Sequence, residues 1–566
     1  DAGDAYYYLA LVQRAKGRIA EATENLIWIV RSGYRESVAR YVLGEMALMS
    51  GHVDDAVDNL SQSVLLDPGD LKARTVLALA ERLNGKLDSA QHRIDAVVRE
   101  MPIDYLARSE QYEIQKALGQ DAKAKASWAE LWRLLSREPD SVLELTFDYA
   151  GAGRRVEAKH ILEEAIRQIV AGQTKRESPM LHYTLGYFYE MDGDRTRARV
   201  EYQLGSKGDT AFVFPHRVEE IAVLRAALAA NPADGRAAYY LGNVLASKNR
   251  DDEALAAWRD AVRLDPSNNI ARRNLGRALW VTNKKEEAIR QYQQAIETAR
   301  EDYRLYVEIG NLLADLGDQG RRIKVLESAP PVTRTHTQFT QALAAAYVDT
   351  KRFSDAASLL ANNTFTSGEG EDAALGLYRK AHLGLARNYQ QAGDHLKAAA
   401  EFVAATEYPR NFGVGRPAMQ SQAREYVAAA REYELAGKHA DSQTWWNRAA
   451  SEELNPPTQP EEPWSEHYFY KALALDHVGR KAEARRLYER LARLNDERQM
   501  LDAEPWPATG AIRFVLAGAA LKALGRTAEA RVALERALKM DPESELARLQ
   551  LAELKSSSPV AERGGL

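Results

Sequence analysis

Small and large apolar residues alternate along this chain at fixed distances. Pairs of small residues twelve positions apart recur at Ala10/Ala22, Gly44/Ala56, Ala78/Ala90, Gly242/Ala254 and Gly276/Ala288. The second position of each pair returns at 22, 56, 90, 124, 158, 198, 254, 288, 322, 356, 398, 442, 484 and 530, and seven of these thirteen intervals are 34 residues. Two antiparallel helices approach closely where a small side chain faces a larger one. The pattern therefore predicts a long series of packed helix pairs.

The copy at residues 235–268 carries the fullest version of the pattern. Leu241-Gly242 is followed by Ala254, an aromatic residue four positions later at Trp258, and Pro266. This set resembles the tetratricopeptide repeat (TPR) superfamily. The resemblance implies an all-α fold, a right-handed α-solenoid of about fourteen helix-turn-helix repeats. Arg322 departs from the pattern because it replaces a small residue, which places the packing of that one copy in doubt.

The intervals lengthen in two regions, which predicts one extra helix and long late loops. A helical pattern from Val218 to Ala230 interrupts the repeats, and the last four intervals are all longer than 40 residues. We predict an N-terminal array (1–206), an inserted helix or incomplete repeat (207–234), a central array (235–361), C-terminal repeats with long loops (362–555) and a disordered tail (556–566).

The composition of the chain argues against several kinds of partner and site. The 566 residues have a formal net charge of −5 and no cysteine. This charge indicates neither nucleic acid nor an anionic membrane as a partner, and the absence of cysteine excludes disulfides and cysteine-bound zinc. No apolar stretch reaches the roughly 18 residues of a membrane span, and we recognise no signal peptide. The first repeat begins without a polar capping helix, so we expect a cut or processing upstream, and the compartment stays open.

A narrower resemblance rests on segments outside the repeat positions. Phe214-Pro215-His216-Arg217, Gly368-Glu369-Gly370 and Gly413-Val414-Gly415-Arg416-Pro417 are similar to segments in the TPR half of large bacterial proteins. The N-terminal half of those proteins is an uncharacterised β-rich domain that resembles carbohydrate-active sandwich domains. The resemblance implies a role near glycans and an upstream β-rich domain as a possible partner.

The first helix of each TPR supplies the residues that face the groove, and one TPR subclass grips a C-terminal carboxylate there. Asn243, Asn274 and Arg304 occupy three of the five positions of that clamp, whereas Tyr239 and Glu308 replace basic residues at the other two. Glu308 would repel a carboxylate, and the asparagines equally fit polar contacts between repeats. Our candidates for partner binding are Tyr183, Tyr187, Tyr239, Asn243, Arg273, Asn274, Arg277 and Arg304.

The late loops supply a second set of candidates. Glu369 and Glu371 fit an acid, a base or a cation ligand, and Arg416 beside Gly415 fits an anion site. Trp464 and Trp506 fit stacking on a sugar or peptide. The alternatives are a solvated acidic loop, a turn between helices and the anchoring of loops by the two tryptophans.

No motif commits the chain to catalysis. Neither a His-Glu-x-x-His zinc motif nor a Gly-x-Ser-x-Gly nucleophile elbow is present. We expect no catalytic residue, metal or cofactor. Two functions remain open: a scaffold that binds a protein or peptide in its concave groove and at its late loops, and the helical half of a bacterial carbohydrate-active enzyme.

Overall fold

The computed structural model describes residues 2–135, 138–171, 178–209, 212–365, 372–415, 421–453, 464–503 and 509–556. Within these ranges every regular element is a helix. The expectation of an all-α solenoid is confirmed.

Thirty-one α-helices and two short 3₁₀ helices, Pro331–Thr335 and Arg410–Phe412, are found in the described ranges. The α-helices are α1 (Ala2–Ala15), α2 (Ile19–Ser32), α3 (Glu36–Met49), α4 (Val53–Leu66), α5 (Leu71–Leu83), α6 (Leu87–Glu100), α7 (Tyr105–Ala117), α8 (Asp121–Leu135), α9 (Pro139–Gly151), α10 (Arg155–Val170), α11 (Pro179–Met191), α12 (Arg195–Gly205), α13 (Val218–Ala230), α14 (Gly235–Ser247), α15 (Asp251–Leu264), α16 (Asn269–Val281), α17 (Lys285–Thr298), α18 (Tyr303–Asp315), α19 (Gln319–Glu327), α20 (Thr337–Asp349), α21 (Phe353–Ala361), α22 (Asp372–Gln391), α23 (His395–Ala404), α24 (Ala423–Leu435), α25 (His439–Ser451), α26 (His467–His477), α27 (Lys481–Arg493), α28 (Glu497–Ala503), α29 (Gly510–Ala523), α30 (Thr527–Met540) and α31 (Glu545–Ser556).

Most helices form antiparallel pairs joined by tight turns. Three residues separate α5 from α6 and α14 from α15. The middle residue of each turn has a positive φ, 75° at Gly85 and 56° at Asn249. Glycine and asparagine tolerate this left-handed conformation better than other residues, which explains how the chain reverses within so short a turn.

Steric contact between the two helices of a pair accounts for the small residues. A Cβ atom added at Gly44 would lie 2.5 Å from Cγ of Leu60, and one at Gly242 would lie 2.4 Å from Cδ1 of Trp258. Both distances are far shorter than a carbon–carbon contact. The small position of the first helix thus receives the large side chain of the second helix.

Arg322 occupies a small-residue position without disrupting its helix pair. Its side chain is almost fully buried, and its guanidinium donates to Oδ2 of Asp349 at 2.6 Å and to Oε1 of Gln319 at 3.0 Å. Because a buried charge is tolerated when it is paired, these contacts explain how α19 accepts an arginine there.

Helix α13 lies in the chain between the pairs α11–α12 and α14–α15, where the sequence predicts an extra helix. The carboxylate of Glu220 accepts hydrogen bonds from the backbone N–H groups of His216 and Arg217, at 2.6 and 2.7 Å. A guanidinium nitrogen of Arg217 also lies 3.4 Å from Oδ1 of Asp140. The Phe-Pro-His-Arg segment, on which the narrower resemblance partly rests, therefore caps and positions α13.

The chain divides into two compact units, residues 1–291 and 292–566. In the first unit, buried alanines and aliphatic residues such as Leu26 and Ile94 fill the spaces between helix pairs. In the second unit, a continuous apolar cluster includes Trp446, Trp464 and Phe514. Each unit thus buries its core between successive helix pairs, as solenoids do.

Candidate functional site

Three of the predicted groove residues form a hydrogen-bonded cluster between α14 and α16. Oδ1 of Asn243 accepts from Nδ2 of Asn274 and from Nε1 of Trp258, both at 3.0 Å. Asn243 also hydrogen-bonds to Tyr239, whose phenol pKa is raised by burial. Structural polar contacts therefore occupy the amide of Asn243 and join adjacent repeats.

Two predicted arginines extend this cluster along α16. Arg273 is half-buried and acts electrostatically on the hydroxyl of Tyr239. Arg277 lies one helical turn further along and is exposed, and it forms no hydrogen bond or ion pair with any residue that the structure describes. The cluster thus presents one free guanidinium to solvent.

Two other groove candidates lie on α11 and differ in exposure. Tyr183 is fully buried, and its hydroxyl donates to Oδ2 of Asp234 at 2.9 Å. Tyr187 is half-buried and packs against Phe188. The structure therefore places Tyr183 in the core, against Asp234 and Tyr240 at the start of α14, and of these two tyrosines only Tyr187 retains accessible surface.

Arg304 belongs to the second unit, where it forms a local ion pair. Its Nε and Nη2 atoms donate to the two carboxylate oxygens of Asp302, both at 2.8 Å. Asp302 also caps α18 by accepting from the backbone N–H of Arg304 at 3.1 Å. In this structure, then, the Arg304 guanidinium is engaged within its own helix.

The structure describes one of the five loop candidates. Trp464 is 6% exposed, packs against Tyr468 with ring centroids 4.8 Å apart, and lies under the guanidinium of Arg490. Trp464 therefore anchors its segment in the core of the second unit. This is the alternative to stacking on a sugar or peptide that the sequence left open. Glu369, Glu371, Arg416 and Trp506 lie outside the described residues.

The sequence analysis missed a charged pocket in the second unit. First-helix residues of three repeats line it together with α31, and the cavity measures about 160 Å³. Glu545 of α31 lies 3.1 Å from Nη2 of Arg387 in α22 and 2.8 Å from Nη2 of Arg424 in α24. The positions of Arg387 and Arg424 on first helices could have identified them as candidates from the sequence. Glu545 could not be identified in this way, because it lies more than a hundred residues from both in the sequence.

Burial shifts the pKa values of several groups around this pocket. Burial raises the pKa of Glu425 and of Glu466, although Arg424 acts in the opposite direction on both. Burial also raises the pKa of Tyr470 to about 12 and lowers that of His467 to about 4. Clusters of perturbed groups beside a cavity are typical of functional sites, although ion-pair networks produce them too.

A buried ion network in the first unit has a structural explanation. Arg82 donates to both carboxylate oxygens of the fully buried Glu110, at 2.8 and 2.9 Å, and lies 3.5 Å from Glu157. Arg154 pairs with the same Glu157 at 2.6 Å. These bonds join α5, α7 and α10, so we assign the network to stability.

Two kinds of feature are absent from the part of the chain that the structure describes. No helix there is both long and apolar enough to cross a membrane. No group of three or more histidine, aspartate or glutamate side chains there is arranged to hold a metal ion.

Comparison with family models identifies the repeats. A model described as Tetratricopeptide repeat matches residues 221–269, 252–303 and 273–329, and a second model of the same description matches residues 513–554. No curated protein matches the chain.

Solved structures that resemble the chain are also built from these repeats. YrrB, described as a TPR protein with an unusual peptide-binding site, is 20% identical over 32% of this chain and 90% of its own, with a TM-score of 0.26. A tetratricopeptide repeat protein from Parabacteroides merdae is 14% identical over 57% and 98%, with a TM-score of 0.26. The TPR domain of P58(IPK) is 10% identical over 86% and 98%, with a TM-score of 0.23. We base no functional argument on these distant likenesses.

The stacked helix pairs define an all-α helical-repeat protein, a class in which each repeat contacts its neighbours and the first helices build an extended binding surface. The family-model matches lie within residues 221–329 and 513–554, and the same steric fit of a small residue against a large one is found at Gly242 and, outside the matched residues, at Gly44. The helix pairs in these matched residues are tetratricopeptide repeats. In general terms, the chain is a protein-interaction scaffold.

Proposed function

We propose that the first unit binds an acidic segment of a partner protein or peptide along the first helices α11, α14 and α16. The observation that carries this proposal is the guanidinium of Arg277, which is exposed and has no hydrogen-bond or ion-pair partner among the described residues, one turn from Arg273 on the same helix. Like charges at this spacing destabilise a helix. An acidic partner would relieve that repulsion and explain why two arginines stand together.

The hydrogen bonds beneath this surface favour binding without a large rearrangement. Asn243 joins α14 to α16 through Asn274 and joins α14 to α15 through Trp258. These contacts hold the two first helices in register before a partner arrives. A preorganised surface loses less conformational entropy on binding than a mobile one, so the cluster supports the role of a rigid scaffold.

The carbohydrate-active alternative has no comparable support. None of the comparisons favours a glycan or a β-rich domain as partner, and the loop residues that this function requires, Glu369 and Arg416, lie outside the described residues. We therefore propose a single function.

A peptide array tests the proposal. The full chain is screened against acidic and neutral peptides, and the dissociation constant of the best acidic peptide is measured for the unchanged chain and for Arg277→Glu. Because a reversed charge opposes an acidic ligand at close range, we expect about tenfold weaker binding.

The control is Arg290→Glu, an equal change of charge at an exposed position on the second helix α17. It should leave the dissociation constant unchanged. Equal weakening by both substitutions would mean that only the net charge matters, and would refute a site at Arg277.

A further inference from the structure

The last helix of the second unit brings a carboxylate to two arginines of distant repeats. Glu545, the first residue of α31, pairs with Arg387 and with Arg424. The side chains of all three residues are between 37% and 54% exposed. Ion pairs this open to water contribute little stability. The carboxylate of Glu545 is therefore easily exchanged for another.

The packing of α31 does not depend on these ion pairs. Leu546, Ala547, Leu551 and Leu554 are buried and pack with the apolar cluster of the second unit, in which α31 contacts α29 and α30. Leu549, one turn after Glu545, is half exposed and lines the pocket instead. One face of α31 thus fixes the helix, while Glu545 and Leu549 face the pocket.

The pocket contains more positive charge than α31 neutralises. Arg431 on α24 lines it, is exposed, and forms no ion pair or hydrogen bond with any residue in the described ranges. The other acidic groups at the pocket are Glu425, which lines it, and Glu466, which lies 3.6 Å from Arg424. With Glu545 displaced, three arginines would face two half-buried carboxylates.

We propose that this pocket is a second binding site, that it takes an acidic segment of a partner protein, and that Glu545 of α31 is its internal competitor. A carboxylate of the partner replaces that of Glu545 on Arg387 and Arg424 and also reaches Arg431. The inference goes beyond the function proposed above, because Arg277 belongs to the other unit and the two sites can be tested separately.

The lining of the pocket favours a protein segment over a free anion. Leu383, Phe402, Val427 and Ala428 contribute apolar surface beside the guanidinium groups. A free phosphate would use only the arginines, whereas a peptide places an apolar side chain near its carboxylate. Leu549 follows Glu545 by one turn and shows this arrangement within the chain itself.

The probe for the test is a fluorescein-labelled peptide with the sequence of residues 545–556, together with its version in which the residue equivalent to Glu545 is glutamine. Binding to the full chain is followed by fluorescence anisotropy. We expect Glu545→Ala to bind the acidic probe about tenfold more tightly than the unchanged chain, since two weak ion pairs no longer compete.

Four variants control this result. Glu543→Ala removes a neighbouring carboxylate that is 85% exposed and pairs with Arg548 instead, so its affinity should equal that of the unchanged chain. Arg387→Ala combined with Arg424→Ala should abolish the gain. If that double variant does not fold, Arg431→Ala removes a guanidinium without an ion pair and should still weaken probe binding severalfold. Arg277→Glu should have no effect.

Four outcomes would overturn the proposal. They are equal affinity of Glu545→Ala and the unchanged chain, absence of probe binding to every variant, equal binding of the glutamine version, and displacement of the probe by millimolar inorganic phosphate. The third outcome would indicate exchange of the helix through its apolar face. The fourth would indicate a simple anion site.

Discussion

At the scale of single residues, His467 shows how burial converts an ordinary side chain into a group sensitive to pH. Its Nδ1 accepts a hydrogen bond from the backbone N–H of Arg424 at 3.2 Å, which requires that this nitrogen carry no proton. Burial lowers its pKa to about 4, and the charges of Arg424 and Arg379 act in the same direction. Folding therefore favours the neutral imidazole.

We predict that the second unit loses stability as the pH falls from about 6.5 to 4. The folded-state pKa lies below the unfolded value of 6.5. The contribution of His467 is therefore complete above 6.5 and is lost as protons bind the unfolded state in preference to the folded one. Over the full range the loss amounts to roughly 3 kcal/mol. The measurement is the free energy of urea unfolding at pH 7 and pH 4.5.

His467→Asn isolates this contribution, because its amide oxygen can accept the same hydrogen bond but does not titrate. Glu425 and Glu466 act with the opposite sign: their raised pKa values add stability at low pH that is lost as the pH rises. Both carboxyl groups remain in the variant. Only the part of the pH dependence of the unfolding free energy that comes from His467 should therefore disappear. His439→Asn, at an exposed position on α25, should keep the slope. An unchanged slope in His467→Asn would contradict the assignment.

At the scale of elements, the junction between α11 and α14 depends on one carboxylate. Asp234 caps α14 by accepting from the backbone N–H groups of Arg236 and Ala237, at 3.1 and 3.0 Å, and also accepts from the hydroxyl of Tyr183. Asp234 is 4% exposed. The junction spans the inserted helix α13 and restores the stacking of repeats beyond it.

We predict that Asp234→Ala lowers the unfolding free energy by about 2–4 kcal/mol, the sum of a lost cap and a lost buried hydrogen bond. A double-mutant cycle with Tyr183→Phe measures the coupling of the two side chains, which should be about 1 kcal/mol or more. Asp70→Ala, which removes a cap at α5 that accepts only from Ala73, should cost about 1 kcal/mol. Equal losses for Asp234→Ala and Asp70→Ala would exclude a special role for this junction.

Elements and their pairing were predictable from the sequence, but the accessibility of the site was not. The small-residue period identified the helix pairs because steric fit acts locally, between residues such as Gly242 and Trp258. The carboxylate-clamp pattern singled out Asn243 and Asn274, which hydrogen-bond to each other across adjacent repeats. Tyr183 was assigned to the groove by its place in the repeat, yet it is fully buried against Asp234 and Tyr240.

The pocket at Glu545 marks the limit of repeat-based prediction. Residues 158 positions apart, Arg387 and Glu545, meet there. Their approach depends on the small rotations accumulated over several intervening repeats, which no local pattern specifies.

At the scale of the whole molecule, stability in a solenoid is a sum of contributions from repeats and from the contacts between neighbours. A local defect should therefore remain local. Gly242 offers a suitable defect, because an added Cβ would meet the indole of Trp258, which in turn donates to Asn243. Displacing that indole disturbs the α14–α15 pair and the hydrogen bond that leads to α16.

We predict that Gly242→Ala destabilises the chain. Overpacking lowers the unfolding free energy by about 1–3 kcal/mol, and the higher helix propensity of alanine offsets about 1 kcal/mol of this loss. Hydrogen exchange followed by mass spectrometry should show faster exchange in α13 to α16 and unchanged exchange in α1 to α4, which are remote in the same unit. Gly376→Ala is the matched control, since nothing lies within 4 Å of the added Cβ in α22, and it should stabilise its helix slightly. Uniformly faster exchange across residues 2–291 would show instead that the first unit unfolds as one cooperative block.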